Sequence, residues 1–167
     1  MRKPDSLRAH LTAALPELQR EPDALTIYVT GGTLAARIGT SLGFEYRYKA
    51  EIVLLNYRGD PGQIFLPLLV WIGENQIELL LNHQAGVSDI GFEVDPIDNQ
   101  AVDVQITLPL SEAVDVQPGG DGGYAVAPRP EPAIPGTEPL SEQLALLREI
   151  YAPGGSAKEL LVPQQET

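Results

Sequence analysis

Between Phe44 and Ile72 the chain passes from strict alternation to a solid apolar run, and this switch limits the folds open to it. Phe44, Tyr46, Tyr48, Ala50, Ile52 and Leu54 alternate with Glu45, Arg47, Lys49 and Glu51. That is the period-2 pattern of a strand with one buried face. At Val53, Leu55 and Tyr57 the second face turns apolar as well. The far half of the strand is therefore expected to be covered on both sides. Arg58-Gly59-Asp60-Pro61-Gly62 is turn chemistry, with Asp60 suited to an N-cap and Pro61 to the first helical position.

Ile64, Phe65, Leu68, Leu69 and Ile72 then lay a broad apolar stripe on a helix, widened by Val70 and Trp71. This helix is too short to span a bilayer and too apolar to face water, so the strand is expected to cover it. Pro67 should bend it or confine it to its early turns. Gly73-Glu74-Asn75-Gln76 breaks or loosens it, and Ile77 to Leu81 forms a last turn or leads back into the sheet.

Before this unit, Leu7, Leu11, Leu15 and Leu18 share one helical face. Asp5 or Ser6 is the expected N-cap and Pro16 the expected break. Leu25 to Val29 is a strand, and Gly31-Gly32 reads as a turn. The diglycine lacks the lysine and the spacing of a phosphate loop. Leu34 to Ile38 is a linker, a continued strand or a helical turn.

After the unit, Asn82 to Ser88 reads as a loop. Ile90, Phe92 and Val94 pair with the alternating run Val102 to Leu110 as a β-hairpin. Val114-Asp115-Val116 and Tyr124-Ala125-Val126 are expected to form an extra hairpin across a glycine-rich tip. Prolines 128, 130, 132, 135 and 139 make a stiff linker. A short amphipathic helix follows, with Leu140, Leu144, Leu147 and Tyr151 along one side; it either docks a partner or folds back on its own domain. The expected fold class is α+β, a mostly antiparallel sheet of about four strands against two helices, with the extra C-terminal hairpin and helix. The expected divisions are a domain over 1–116, a Gly/Pro-rich tip and linker over 117–138, and the short helix with its tail over 139–167.

The net charge is −12, which disfavours gripping nucleic acid. There are no cysteines and two histidines, His10 and His83, far apart, so no metal or cofactor site is expected. Without a signal-like N-terminus or a long apolar run, no membrane role is expected. Glu93 and Asp95 share a strand face and are the one candidate acid–base pair, more simply read as a solvated face. Arg47 and Lys49 form a basic pair on an acidic protein, either a partner contact or a solvated strand face.

Several uncommon residues resemble a known family. The opening Lys3-Pro4-Asp5-Ser6-Leu7-Arg8 is similar to the start of the tail completion protein R (GpR) family of peduovirus-type, contractile-tailed phages. Phe44-Glu45 and Arg47-Tyr48, then Pro67, Leu69, Trp71, Glu74, Asn75 and Gln76, match its central strand, helix and polar break, and the hairpin ending in Leu108 aligns in pattern. The resemblance covers roughly residues 1 to 110, and the stretch after Ser111 departs from it. It implies a structural virion protein rather than an enzyme, with a tail-terminator-like fold. Such a protein forms a ring, expected to be a hexamer, on the head-proximal end of the tail. Its implied partners are its own copies, the tail tube and sheath proteins, and a head–tail connector or second completion protein. DNA passes through without specific binding, and assembly takes place in the host bacterial cytoplasm. A transient assembly factor that leaves the finished particle is the alternative. The expected contact residues are Tyr46, Arg47, Tyr48 and Lys49, with Leu140, Leu144, Leu147 and Tyr151.

Overall fold

The computed structural model describes residues 1–36, 43–81, 90–119 and 122–132. Helix α1 (Lys3–Ala14) ends before Pro16, which starts the short α2 (Pro16–Arg20). A single 3-10 turn at Pro22–Ala24 leads into β1 (Leu25–Ala36). Next come β2 (Phe44–Tyr57), α3 (Gly62–Asn75) and the one-turn α4 (Glu78–Leu81). The chain closes with β3 (Gly91–Pro96), β4 (Val102–Pro118) and β5 (Tyr124–Pro128). The expected C-terminal helix, including Leu140, Leu144, Leu147 and Tyr151, and the loop expected over Asn82 to Ser88 lie outside the described residues.

The strands make one antiparallel sheet in the order β1-β2-β4-β3, with β5 also on β4. The fold is α+β, as expected. β4 is continuous from Val102 to Pro118, so the two expected hairpins share it. Its first part pairs with β3 (Val102–Thr107) and its last part with β5 (Val114–Pro118).

One face of the sheet carries Tyr48, Ala50, Ile52 and Leu54 of β2 and Val104, Ile106, Leu108 and Leu110 of β4, all buried. Leu7 and Leu11 of α1 and Ile64, Leu68, Trp71 and Ile72 of α3 join this core. The α3 helix runs on through Pro67 to Asn75 rather than stopping in its early turns. A proline inside a helix costs about 3 kcal/mol. Burying each of Leu68, Trp71 and Ile72 beyond it returns roughly 1.5–3 kcal/mol, so packing wins. α3 starts one residue later than expected, with Pro61 rather than Asp60 at the N-cap position; the Asp60 carboxylate still accepts the Gly62 N–H at 2.8 Å in the turn that leads into it.

Three expectations need correction. Gly31-Gly32 is not a turn, because β1 passes straight through it. A β-bulge between Val29 and Gly31 absorbs the irregularity. A Cβ on Gly32 would sit 2.6 Å from the Arg47 carbonyl oxygen, so glycine here permits close strand approach. The far half of β2 is not covered on both faces: Val53 is half-buried and Leu55 exposed. Tyr57 reaches the core because the register shifts between Leu54 and Tyr57, where Asn56 takes the left-handed conformation (φ 55°). Nor is α3 wholly covered, since Leu66 and Leu69 remain 40% and 44% exposed.

α1 also starts earlier than expected, at Lys3, and neither Asp5 nor Ser6 caps it. Ser6 Oγ instead accepts the Trp71 indole N–H at 3.1 Å, tying α1 to α3. His10 Nε2 adds a bond to the Pro67 carbonyl at 3.0 Å.

Candidate interaction surface

All the described helices that join the core lie on one side of the sheet. Among the described residues no helix packs across the opposite face; only the one-turn α4 reaches its rim, where Glu78 accepts the Ser111 hydroxyl at 3.1 Å. Strand pleat therefore divides the four contact residues expected on β2 into two pairs. Tyr46 and Tyr48 point toward the helices, whereas Arg47 and Lys49 point to the open face.

The tyrosine pair is structural in its geometry. Tyr46 stands opposite Glu112 of β4 in the register, and Tyr48 is diagonal to it. Both phenols donate to the Glu112 carboxylate, Tyr46 at 3.0 Å and Tyr48 through a short bond. The two rings stack with centroids 5.8 Å apart, and Phe44 extends the ladder at 6.1 Å from Tyr46. The same carboxylate accepts the backbone N–H groups of Arg2 (2.9 Å) and Lys3 (3.3 Å). A carboxylate from a distant strand thus supplies the anionic cap that α1 lacks locally.

Electrostatics follow from this arrangement. Burial drives the Glu112 carboxyl upward, but its four donors outweigh burial and its pKa falls below the ordinary range. Burial, reinforced by Glu112, pushes the Tyr46 phenol up to about 12 and the Tyr48 phenol higher still.

Beside this cluster, Lys3 is buried. Its ammonium donates to Gln76 Oε1 at 2.7 Å and pairs with Glu131 at 2.6 Å. Gln76 fills the stretch of β4's outer edge that neither β3 nor β5 covers: its Oε1 accepts the Ser111 N–H at 3.0 Å, and its Nε2 reaches Ser111 Oγ at 3.0 Å. Just after β5, the Arg129 N–H donates to the Ala113 carbonyl at 2.8 Å, and its guanidinium pairs with Asp115. Residues 128–131 are thereby fastened along β4 and α1. The sequence singled out neither Lys3 nor Glu112 for this work. The one hint was a charged residue, Glu112, in the alternating register of a strand's buried face.

The basic pair is surface chemistry. Arg47 pairs only with its strand neighbour Glu45, at 2.6 Å, and Lys49 makes no ion pair among the described residues. Across β1, Thr33 stands beside Arg47 and Gly31 beside Lys49. These small neighbours leave both cations uncovered, above a groove of about 820 Å³ closed on its far side by Pro109, Ser111 and Glu78. Glu93 and Asp95 project from the same open face at the other edge of the sheet, exposed, with Asp95 opposite Asp103. No group of three or more His, Asp or Glu residues suited to a metal ion occurs among the described residues. No described helix is long and apolar enough to cross a membrane.

The comparisons with known proteins define the class as a tail protein of bacteriophages. A family model described as P2 phage tail completion protein R (GpR) matches residues 1–132, and the chain belongs to that family. The match runs past the hairpin that ends at Leu108 and takes in β5 and the fastened segment after it. Tail completion protein R of Escherichia phage P2 is 34% identical over 146 residues, covering 87% of this chain and 92% of the relative. No solved structure matches the chain.

Proposed function

We propose that the protein completes a phage tail by capping its head-proximal end as a homo-oligomeric ring, and that this ring provides the surface for head–tail joining. Family membership supports the tail-completion role itself. The observation that carries the ring is the uncovered sheet face, with Arg47 and Lys49 presented on a chain of net charge −12. Two exposed cations on an acidic protein favour acidic surfaces, and each copy of this chain offers one. A ring needs head-to-tail contacts between unlike surfaces. One basic patch near β1 and one acidic patch near β3 satisfy that requirement, because they lie at opposite edges of the sheet. Negative charge elsewhere lets DNA pass a lumen without adhering to its wall.

Native mass measurement and negative-stain images of the purified protein, alone and with tail tubes, test the proposal. Closed rings on tubes are the expected result. A protein absent from purified particles, with capped tails still formed, would instead make it a transient assembly factor.

A further inference from the structure

The sheet has three strands at its edges, and they differ in how they are defended. Exposed edges recruit other strands unless charge, proline or short length blunts them. β3 is blunted by Glu93, Asp95 and Pro96. β1 has no charged residue in its twelve, and every residue from Tyr28 to Ala36 is exposed. β5 is short and closes on Pro128, but it carries no charge and all five of its residues are exposed, so charge does not repel a strand from Tyr124 to Ala127.

We propose that β5 of one copy adds to the β1 edge of a second copy, so that one sheet runs from subunit to subunit. The proposal rests on the ring reading above and names the edges that make its contact. Direction agrees with it. Every pairing in the order β1-β2-β4-β5 is antiparallel, so β1 and β5 of one chain point in opposite ways. A rotation that brings β5 of one copy beside β1 of the next therefore continues an antiparallel sheet, and the contact is head-to-tail.

Both faces match as well. On the helix side, β1 presents Leu34, 70% exposed, and β5 presents Tyr124 and Val126, each 63% exposed. Next to Leu34 on β1 is a notch of about 390 Å³ lined by Met1, Val29, Gly32, Tyr46 and Tyr48. Gly32 leaves its floor bare, and an aromatic or branched side chain from β5 fits such a space. On the open side β1 offers Gly31, Thr33 and Ala35, and β5 offers Ala125 and Ala127, so nothing bulky or charged is brought together within the two strands. Through Val114 and Phe44, Pro128 is level with Ala36, so Tyr124 to Ala127 lie past the described end of β1; a stagger of about four residues between copies, an even number that keeps the faces matched, brings Ala125 beside Ala35 and Ala127 beside Thr33.

The chain has no cysteine, so paired single-cysteine variants report the contact directly. One pool carries Thr33→Cys or Ala35→Cys and the other Ala125→Cys or Ala127→Cys. A disulfide forms only where Cα atoms come within about 7 Å. Oxidation of mixed pools should yield two-chain species with one variant of each kind, and neither pool alone should cross-link. Thr33→Lys, which charges the edge, should abolish the higher-order species and leave the circular dichroism and melting of the single chain unchanged. If the wild type forms rings, no mixed disulfide appears in any pairing and Thr33→Lys still assembles, this contact is wrong and the ring stands. Cross-linking within the first pool alone means symmetric β1–β1 pairing and also overturns it. A wild type that stays monomeric in solution and on tail tubes removes the ring reading and this contact together.

Discussion

Glu112 on β4 and Tyr48 on β2 are diagonal neighbours across the strand ladder, and the bond between them lies at the foot of α1. One carboxylate there collects two phenols and two backbone N–H groups, from Tyr46, Tyr48, Arg2 and Lys3. Glu112→Ala leaves these donors without an acceptor in a buried site. The expected loss is on the order of 3 kcal/mol, since each stranded buried donor costs about 1–3 kcal/mol and part is recovered by water. Glu112→Gln keeps one acceptor oxygen and should lose less. Urea midpoints of the two variants against wild type measure both.

Acid should erase that difference. The native Glu112 carboxyl has a pKa below its ordinary value of 4.5. A depressed pKa contributes stability that is fully present above the unfolded value and is lost as pH falls through the native one. The gap between wild type and Glu112→Gln should therefore be constant near neutral pH and narrow below about pH 4.5. A gap unchanged down to the acid transition would show that the carboxylate is not the group titrating.

Alkali acts on the other partners of the same bonds. Tyr46 is raised to about 12 by burial and then by Glu112, and Tyr57 to about 12 by burial and then by Glu17 and Asp60. A raised phenol contributes stability that is present below its unfolded value of 10.0 and is lost as pH rises through the native one. Phenolate absorbance should therefore show tyrosines that ionise only as the protein unfolds. Glu112→Gln should lower the titration of Tyr46 and Tyr48 and leave that of Tyr57 in place.

Trp71 is the only tryptophan and is fully buried, between α1 and the sheet. Trp71→Ala should cost about 3–5 kcal/mol. Ser6→Ala removes the indole's acceptor alone and should cost about 0.5–1.5 kcal/mol. Because Ser6→Ala keeps the fluorophore, a shift in its emission separates a lost hydrogen bond from a loosened core. Unchanged emission and midpoint would mean that the indole N–H reaches another acceptor.

Local signals made much of this fold legible. Alternation from Phe44 to Leu54 marked β2 and its buried face, the leucine spacing marked α1, and Asp60-Pro61 marked the start of α3. What stayed hidden depends on partners far along the chain. The acceptor that caps α1 is 109 residues from Lys3, so no local rule for an N-cap could find it. Gly31-Gly32 has turn composition, yet the neighbouring Tyr48 side chain and Arg47 backbone determine that Gly32 serves close strand packing. Leu55 and Tyr57 shared one face in simple alternation until a residue in the left-handed conformation separated them. The expected contact residues divide for the same reason: strand pleat, invisible in a list of interesting side chains, turns Tyr46 and Tyr48 inward and leaves Arg47 and Lys49 outside.

That division gives the sharpest functional prediction. Arg47 and Lys49 stand on the open face, and the Arg47–Glu45 pair is exposed, a class of contact that adds little to stability. Arg47→Glu with Lys49→Glu should therefore leave the thermal midpoint of the single chain unchanged. The same double variant turns the only cations presented by β2 into anions on a chain already at −12, so copies that approached through this patch now repel. Assembly on tail tubes and the yield of joined particles should both fall, most at low ionic strength, where screening is weakest. Trp71→Ala should behave in the opposite way at permissive temperature: a less stable chain that still assembles. If the charge-reversed protein assembles as well as wild type at low salt, the open face beside β1 is solvent-facing and the joining surface lies elsewhere.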